Sequence, residues 1–346
     1  MNQTLTYLRW PFLITLIGLA LSYWLGYQTT GTIAGALSFL LIGGILAVLE
    51  ISLSFDNAIV NANILKDMDP KWQHRFLTWG ILIAVFGMRI IFPLLVVVIA
   101  AKIGPVSAIV LAATEPQEYA RIMDDAHVGI SAFGGTFLMM VALAYFMDQS
   151  KEVDWIGSIE RRLRSLASIR GLEIAVVLFA ALMLSCALPD EQSATFLFAA
   201  VCGLVTFLAV ELVAHFLDAQ KEAQTMAVKG GFGAFLYLEV LDASFSFDGV
   251  IGAFALTQNL FLIAIGLGIG AFYVRSMTIM LVERETLSEF RYLEHGAFYS
   301  VLALAMIMYS QSLVHIPEII TGLIGAALIS LSLYSSIRHN KAEQDA

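Results

Sequence analysis

Long apolar runs, separated by short polar segments, dominate the chain. A membrane-spanning helix needs about 20 mostly apolar residues. Runs of that kind occupy 10–27, 32–65, 76–101, 128–147, 172–188, 194–217, 230–256, 260–282, 297–314 and 319–337. The pattern predicts an all-α fold, a polytopic membrane helix bundle of about 10 spans. Trp10, Trp24 and Tyr27 bracket the first run as an aromatic belt would. No small-residue cleavage site follows it, so it reads as a retained span rather than a signal peptide. The run 32–65 is too long for one straight crossing. The piece 106–113, after Gly104-Pro105 and before the acidic stretch 115–125, is too short and reads as re-entrant or interfacial.

Composition agrees. Apolar residues make up 59% of the chain and charged residues 14%, against about a quarter charged in soluble domains. The net charge of −9 says little when several acids sit in the bilayer. There is no basic tail and no aromatic–basic interleaving, which argues against a nucleic-acid partner. Cys186 and Cys202 form no Cys-x-x-Cys pair and read as small packing residues. With the N-terminus inside, the inner loops carry Arg9, Lys66, Lys71, Arg75, Lys151, the arginines at 161, 162, 164 and 170, and the basic residues of the later even-numbered turns. The outer loops carry only Lys102 and Arg121. This asymmetry places both termini in the cytoplasm.

Two stretches inside these runs carry the chemistry. One is Glu50-Ile-Ser52-Leu-Ser54-Phe-Asp56-Asn57, the other Asp242-Ala-Ser244-Phe-Ser246-Phe-Asp248-Gly249. In each, a carboxylate is followed six positions later by an aspartate, with Ser-x-Ser-Phe leading into it. Carboxylates at that depth are costly and mark a functional site by default. The span after each motif holds one arginine, Arg89 or Arg275. The two motif spans run in opposite directions across the bilayer. The chain thus reads as an inverted repeat, the architecture in which secondary transporters build a midplane site from interrupted helices. Residues 1–31 form an extra N-terminal span, 32–147 repeat A, 148–229 a connecting region with a cytoplasmic basic loop and two spans, 230–337 repeat B, and 338–346 a polar tail.

Positions six apart lie roughly 240° apart around a helix. Glu50 and Asp56, like Asp242 and Asp248, therefore converge only if the helix unwinds between them. Serines compete for backbone hydrogen bonds and Gly249 or Asn57 tolerates unusual angles, so both motif helices are expected to be interrupted. The candidate ligands are Glu50, Asp56, Asn57, Glu239, Asp242 and Asp248, with hydroxyls from Ser52, Ser54, Ser244 and Ser246. This all-oxygen set suits a hard divalent cation such as Mn²⁺, Mg²⁺ or Ca²⁺. The acids outnumber what one dication needs, so Arg89 and Arg275 are expected to pair with some of them. Protons on the rest would couple to metal movement. No prosthetic group is expected.

These motifs resemble those of the TerC family of integral membrane proteins. The match consists of Glu50 with Asp56-Asn57, of Glu239, Asp242 and Asp248, and of Arg89 and Arg275 in the following spans. It covers roughly residues 32–147 and 230–337. Gly249 departs from the family's serine, and the first span and the region 148–225 are longer than in the common form. The resemblance implies a bacterial inner-membrane exporter of a divalent cation, with Mn²⁺ favoured, exchanging it for protons. The partners are then the bilayer, the metal ion and protons, and an oligomer is compatible. Two other readings stay open. One is an exporter of a small organic solute such as an amino acid, with Arg89 or Arg275 facing its carboxylate. The other is an intramembrane aspartyl protease, although Phe precedes both motif aspartates where those enzymes have Gly or Tyr. The reading adopted is non-enzymatic.

Overall fold

The computed structural model describes residues 2–344, apart from 81, 82, 84–86, 88, 89, 150, 170, 223–230, 284–289, 315 and 317. Arg89 therefore lies outside the described residues, and so do the side chains of Ser52, Ser244, Ser246 and Asp248.

The described chain is helical, without strands. The helices are α1 (Asn2–Thr30), α2 (Ile33–Leu53), α3 (Phe55–Leu65), α4 (Pro70–Arg75), a π-helical segment (Phe76–Gly80), α5 (Phe92–Ala101), α6 (Pro105–Thr114), α7 (Pro116–Asp125), α8 (His127–Phe146), α9 (Gly157–Leu166), α10 (Leu172–Ser185), α11 (Asp190–Glu222), α12 (Phe232–Leu256), α13 (Leu260–Glu283), α14 (Leu293–Gln311) and α15 (Glu318–Gln344). Local sequence explains several boundaries. Thr32 caps α2 through the Gly35 N–H, after Gly31 turns the chain at φ +67°. Prolines open α4, α6 and α7, where their missing N–H costs nothing.

Six helices among the described residues are long and apolar enough to cross a membrane unaided: those at 7–30, 33–51, 127–146, 190–213, 260–283 and 320–342. Among the described residues, the other expected spans also fall on helical segments. Three carboxylates interrupt the hydropathy of α12, and α10 has only 14 residues. The result is a polytopic helical membrane bundle. Large apolar side chains face outward on its peripheral helices, including Leu16 and Trp24 on α1, Phe179 on α10 and Phe198 on α11.

At the centre, α8 packs on α14, α11 and α12, while α14 also packs on α3 and α15. The third span of each expected repeat, α8 or α14, thus lies against the motif helix of the other. On the opposite side α2 packs on α1 and α13. Gly266 and Gly270, four residues apart on α13, allow that approach: a Cβ on Gly266 would lie 2.5 Å from the Leu46 Cβ, and one on Gly270 would collide with the Glu50 side chain. The short helices α6 and α7 pack on α5 and on each other, with Tyr119 and Met123 of α7 buried.

One end of the bundle gathers polar contacts from segments far apart in the chain. Lys66, past α3, lies 3.6 Å from Glu294 at the start of α14. Arg291 meets His339 of α15 at 3.0 Å, and Tyr7 of α1 donates to Glu283 of α13 at 2.7 Å.

Candidate functional site

The first motif is interrupted as its sequence predicts. The helix stops at Leu53 and restarts at Phe55, with Ser54 between them at φ −102°, ψ 14°. The break is slight: the Ser54 N–H still donates to the Glu50 carbonyl at 3.0 Å, and the Ala58 N–H to the Ser54 carbonyl at 3.2 Å. It nevertheless creates a helix N-terminus within the bundle, with Asp56 in its first turn, where the helix dipole favours negative charge. Glu50 and Asp56, which a straight helix would hold apart, now line one cavity. They are 2% and 5% exposed.

Hydroxyls satisfy these carboxyls. Ser54 Oγ donates to Glu50 Oε1 at 3.0 Å, and Ser300 Oγ on α14 donates to Asp56 Oδ2 at 2.7 Å. Asp56 Oδ1 accepts the Asn57 N–H at 2.8 Å. The remaining wall includes Thr321 and Gly325 of α15 and Phe245 of α12. Gly325 matters for space, because a Cβ there would sit 2.7 Å from Ser300 Oγ. About 20 Å³ of the cavity is open to a water-sized particle, room for one or two waters and no organic solute.

The second motif joins the first through one residue. Asp242 Oδ1 accepts from Asn57 Nδ2 at 2.5 Å and from Asn61 Nδ2 at 3.0 Å. The Oδ1 atoms of both asparagines are buried without a partner. The backbone of the second motif differs from expectation. The helix α12 runs unbroken from Phe232 to Leu256, so no turn unwinds between Asp242 and Asp248. Glycine permits unusual angles but does not impose them, and α12 is held along its length by α8, α11 and α13.

Glu239, three residues before Asp242, points at the π-helical segment, where its Oε1 would lie 2.9 Å from a Cβ on Gly80. That oxygen has no hydrogen-bond partner. No three of His, Cys, Asp and Glu come together as a metal-holding group among the described residues. The expected pairing of Arg275 with motif acids also differs. Its Nη2 donates to the Leu77 carbonyl in the π-helical segment, and its Nε has no hydrogen-bond partner. Backbone carbonyls are a common partner for buried arginine in membranes. Arg89 and the side chains of Ser246 and Asp248 lie outside what the structure describes.

Sequence reasoning missed Ser300 and Thr321, two of several hydroxyls in mostly apolar runs. It also missed a second polar centre at the end of the bundle where Lys66 meets Glu294. There Glu160 of α9, 1% exposed, pairs with Lys151 at 2.6 Å and accepts the backbone N–H groups of Trp155 and Ile156 at 3.1 and 2.9 Å. His295 Nε2 lies 3.5 Å from it and 2.9 Å from the Val153 carbonyl. Burial pushes the Glu160 carboxyl up, but the hydrogen bonds from Lys151 and Ile156 and the charges of His295 and Lys151 outweigh it and hold it below its ordinary value. Arg164 reinforces the loop by donating to the Lys151 carbonyl and to Asp154 at 2.7 Å. Tyr299, next to Ser300, reaches Glu160 at 3.3 Å, so α14 touches both polar centres.

The fold and buried motif pair define the class: a multi-span helical membrane protein with a polar centre inside its bundle. The chain belongs to the family described as "Protein of unknown function (DUF475)", whose model matches residues 55–343, from the first residue of α3 almost to the end of α15. No curated protein and no solved structure matches it.

Proposed function

We propose that the protein is a secondary transporter that moves a divalent metal cation, Mn²⁺ favoured, out of the cell in exchange for protons. One observation carries the reading. Glu50 and Asp56 sit buried beside a cavity of ionic size, one residue from the Asn57–Asp242 bond that ties the two motifs together. Buried carboxyls at membrane depth are retained chiefly on ion and proton paths. A break in the helix beside them is how transporters present ligands at the midplane. The oxygen-only chemistry favours a hard cation, and the likeness of the motifs to the TerC family favours Mn²⁺. The size of the cavity weighs against an amino acid.

In this reading the inverted repeats are 32–147 and 230–337, the membrane is the bacterial inner membrane, and both termini face the cytoplasm. The test is survival under metal overload. Cells expressing wild-type protein should tolerate excess Mn²⁺ better than cells expressing Asp56→Ala or Asp248→Ala at equal level. Equal protection by the variants would remove the motif aspartates from the function.

A further inference from the structure

We propose that the cavity between the broken helix α2–α3 and helices α14 and α15 is the cation's resting station, and that Ser300 and Thr321 are two of its ligands. The inference rests on the transporter reading and adds to the motif residues a pair of hydroxyls that no motif contains.

Thr321 points to the site. Its Oγ1 is buried without a hydrogen-bond partner, its residue is 6% exposed, and it lines the cavity. Other threonines in these helices satisfy their hydroxyls on the carbonyl four residues back, as Thr136, Thr206 and Thr278 do. A buried hydroxyl without a partner is costly and calls for an explanation. A cation in the cavity supplies one, because a hydroxyl oxygen offers two lone pairs.

Charge and coordination agree. Glu50 and Asp56 together bring two negative charges when ionised, which balance a dication. Ser54 and Ser300 direct their protons at these carboxyls, and both oxygens keep lone pairs free for a metal. Two carboxylates and three hydroxyls make five oxygen ligands. One water completes an octahedron of the kind Mn²⁺ and Mg²⁺ prefer. The space, about 20 Å³, holds a dehydrated ion with one water and not a fully hydrated ion. Asp242 differs, since two amide donors already occupy its Oδ1. Its contacts latch the two motifs together.

The experiment is Mn²⁺ binding to the purified full-length protein in nanodiscs, followed by loss of the free-ion signal in electron paramagnetic resonance. Thr321→Val keeps the shape and removes the oxygen, and Thr321→Ser keeps the oxygen. The expected result is on the order of tenfold weaker binding in Thr321→Val and wild-type affinity in Thr321→Ser. Wild-type affinity in Thr321→Val would overturn the inference and leave the transporter reading standing. Equal weakening in both variants would also overturn it, because the position would then act through packing. Absence of Mn²⁺ binding to the wild type would overturn the transporter reading itself, and the station with it.

Discussion

Gly325→Ala is a sharp probe because local and tertiary physics predict opposite signs. Within a helix, replacing glycine by alanine gains about 1 kcal/mol in propensity. At this position the new Cβ would lie 2.7 Å from Ser300 Oγ, where ordinary contact begins at 3.4 Å. The hydroxyl must retreat by 3.4 − 2.7 = 0.7 Å, which stretches its 2.7 Å bond to Asp56 to the edge of hydrogen bonding, or it must rotate away and lose that bond. Losing a hydrogen bond to a carboxylate costs roughly 1.5–3 kcal/mol, so the net effect is a loss of roughly 0.5–2 kcal/mol after the propensity gain. The assay is thermal unfolding in one detergent, paired with Mn²⁺ uptake into proteoliposomes. The variant should unfold at lower temperature and transport more slowly. In a Ser300→Ala background the clashing oxygen is absent, and the same substitution should cost nothing or stabilise. A higher unfolding temperature in both backgrounds, with uptake intact, would refute the close approach of α15 to the Ser300–Asp56 pair.

Further expectations follow from the same contacts. Asn57→Ala removes the shorter bond to Asp242, and a double-mutant cycle with Asp242→Ala should give a coupling of roughly 0.5–3 kcal/mol by detergent unfolding; additivity would break the link between motifs. Gly270→Leu forces a side chain into the space of Glu50, and should separate α13 from α2 and lower the yield of folded protein far more than Gly44→Leu, whose Cβ meets only Leu19 at 3.8 Å. Lys151→Met leaves Glu160 buried without its cation and should cost about 3–5 kcal/mol, read in the same unfolding assay. Glu160 has a depressed folded value, so its contribution is present above the ordinary value of 4.5 and is lost as pH falls from there through the folded value. Glu160→Gln should therefore flatten the acid limb of the stability profile, and an unchanged limb would assign it to other groups.

What the sequence disclosed follows from the range of the forces involved. The spans are legible because hydropathy is local. The break at Ser54 is legible because two serines and an Asp-Asn pair all weaken the same helical turn. The near-identical second motif stays helical because the packing of α12 against its neighbours decides its backbone, and much of that packing is remote in sequence. Ser300 and Thr321 carried no signal, since a hydroxyl in an apolar run looks the same whether it bonds its own helix or faces a cavity. The spacing of Gly266 and Gly270 was a readable sign of a close helix contact, although not of Glu50 as its partner. Glu160 sat in a stretch whose arginines suggested only a charged loop. Its burial depends on Lys151 and His295, brought together by the fold.

Metal uptake into proteoliposomes under an imposed pH gradient, comparing wild type with Asp56→Asn, decides whether this aspartate carries proton-coupled cation flux. Mn²⁺ flux should follow the proton gradient in the wild type and be abolished in the variant. Absence of flux of Mn²⁺, Mg²⁺, Ca²⁺ and Zn²⁺ alike, or undiminished flux through Asp56→Asn, would contradict that role.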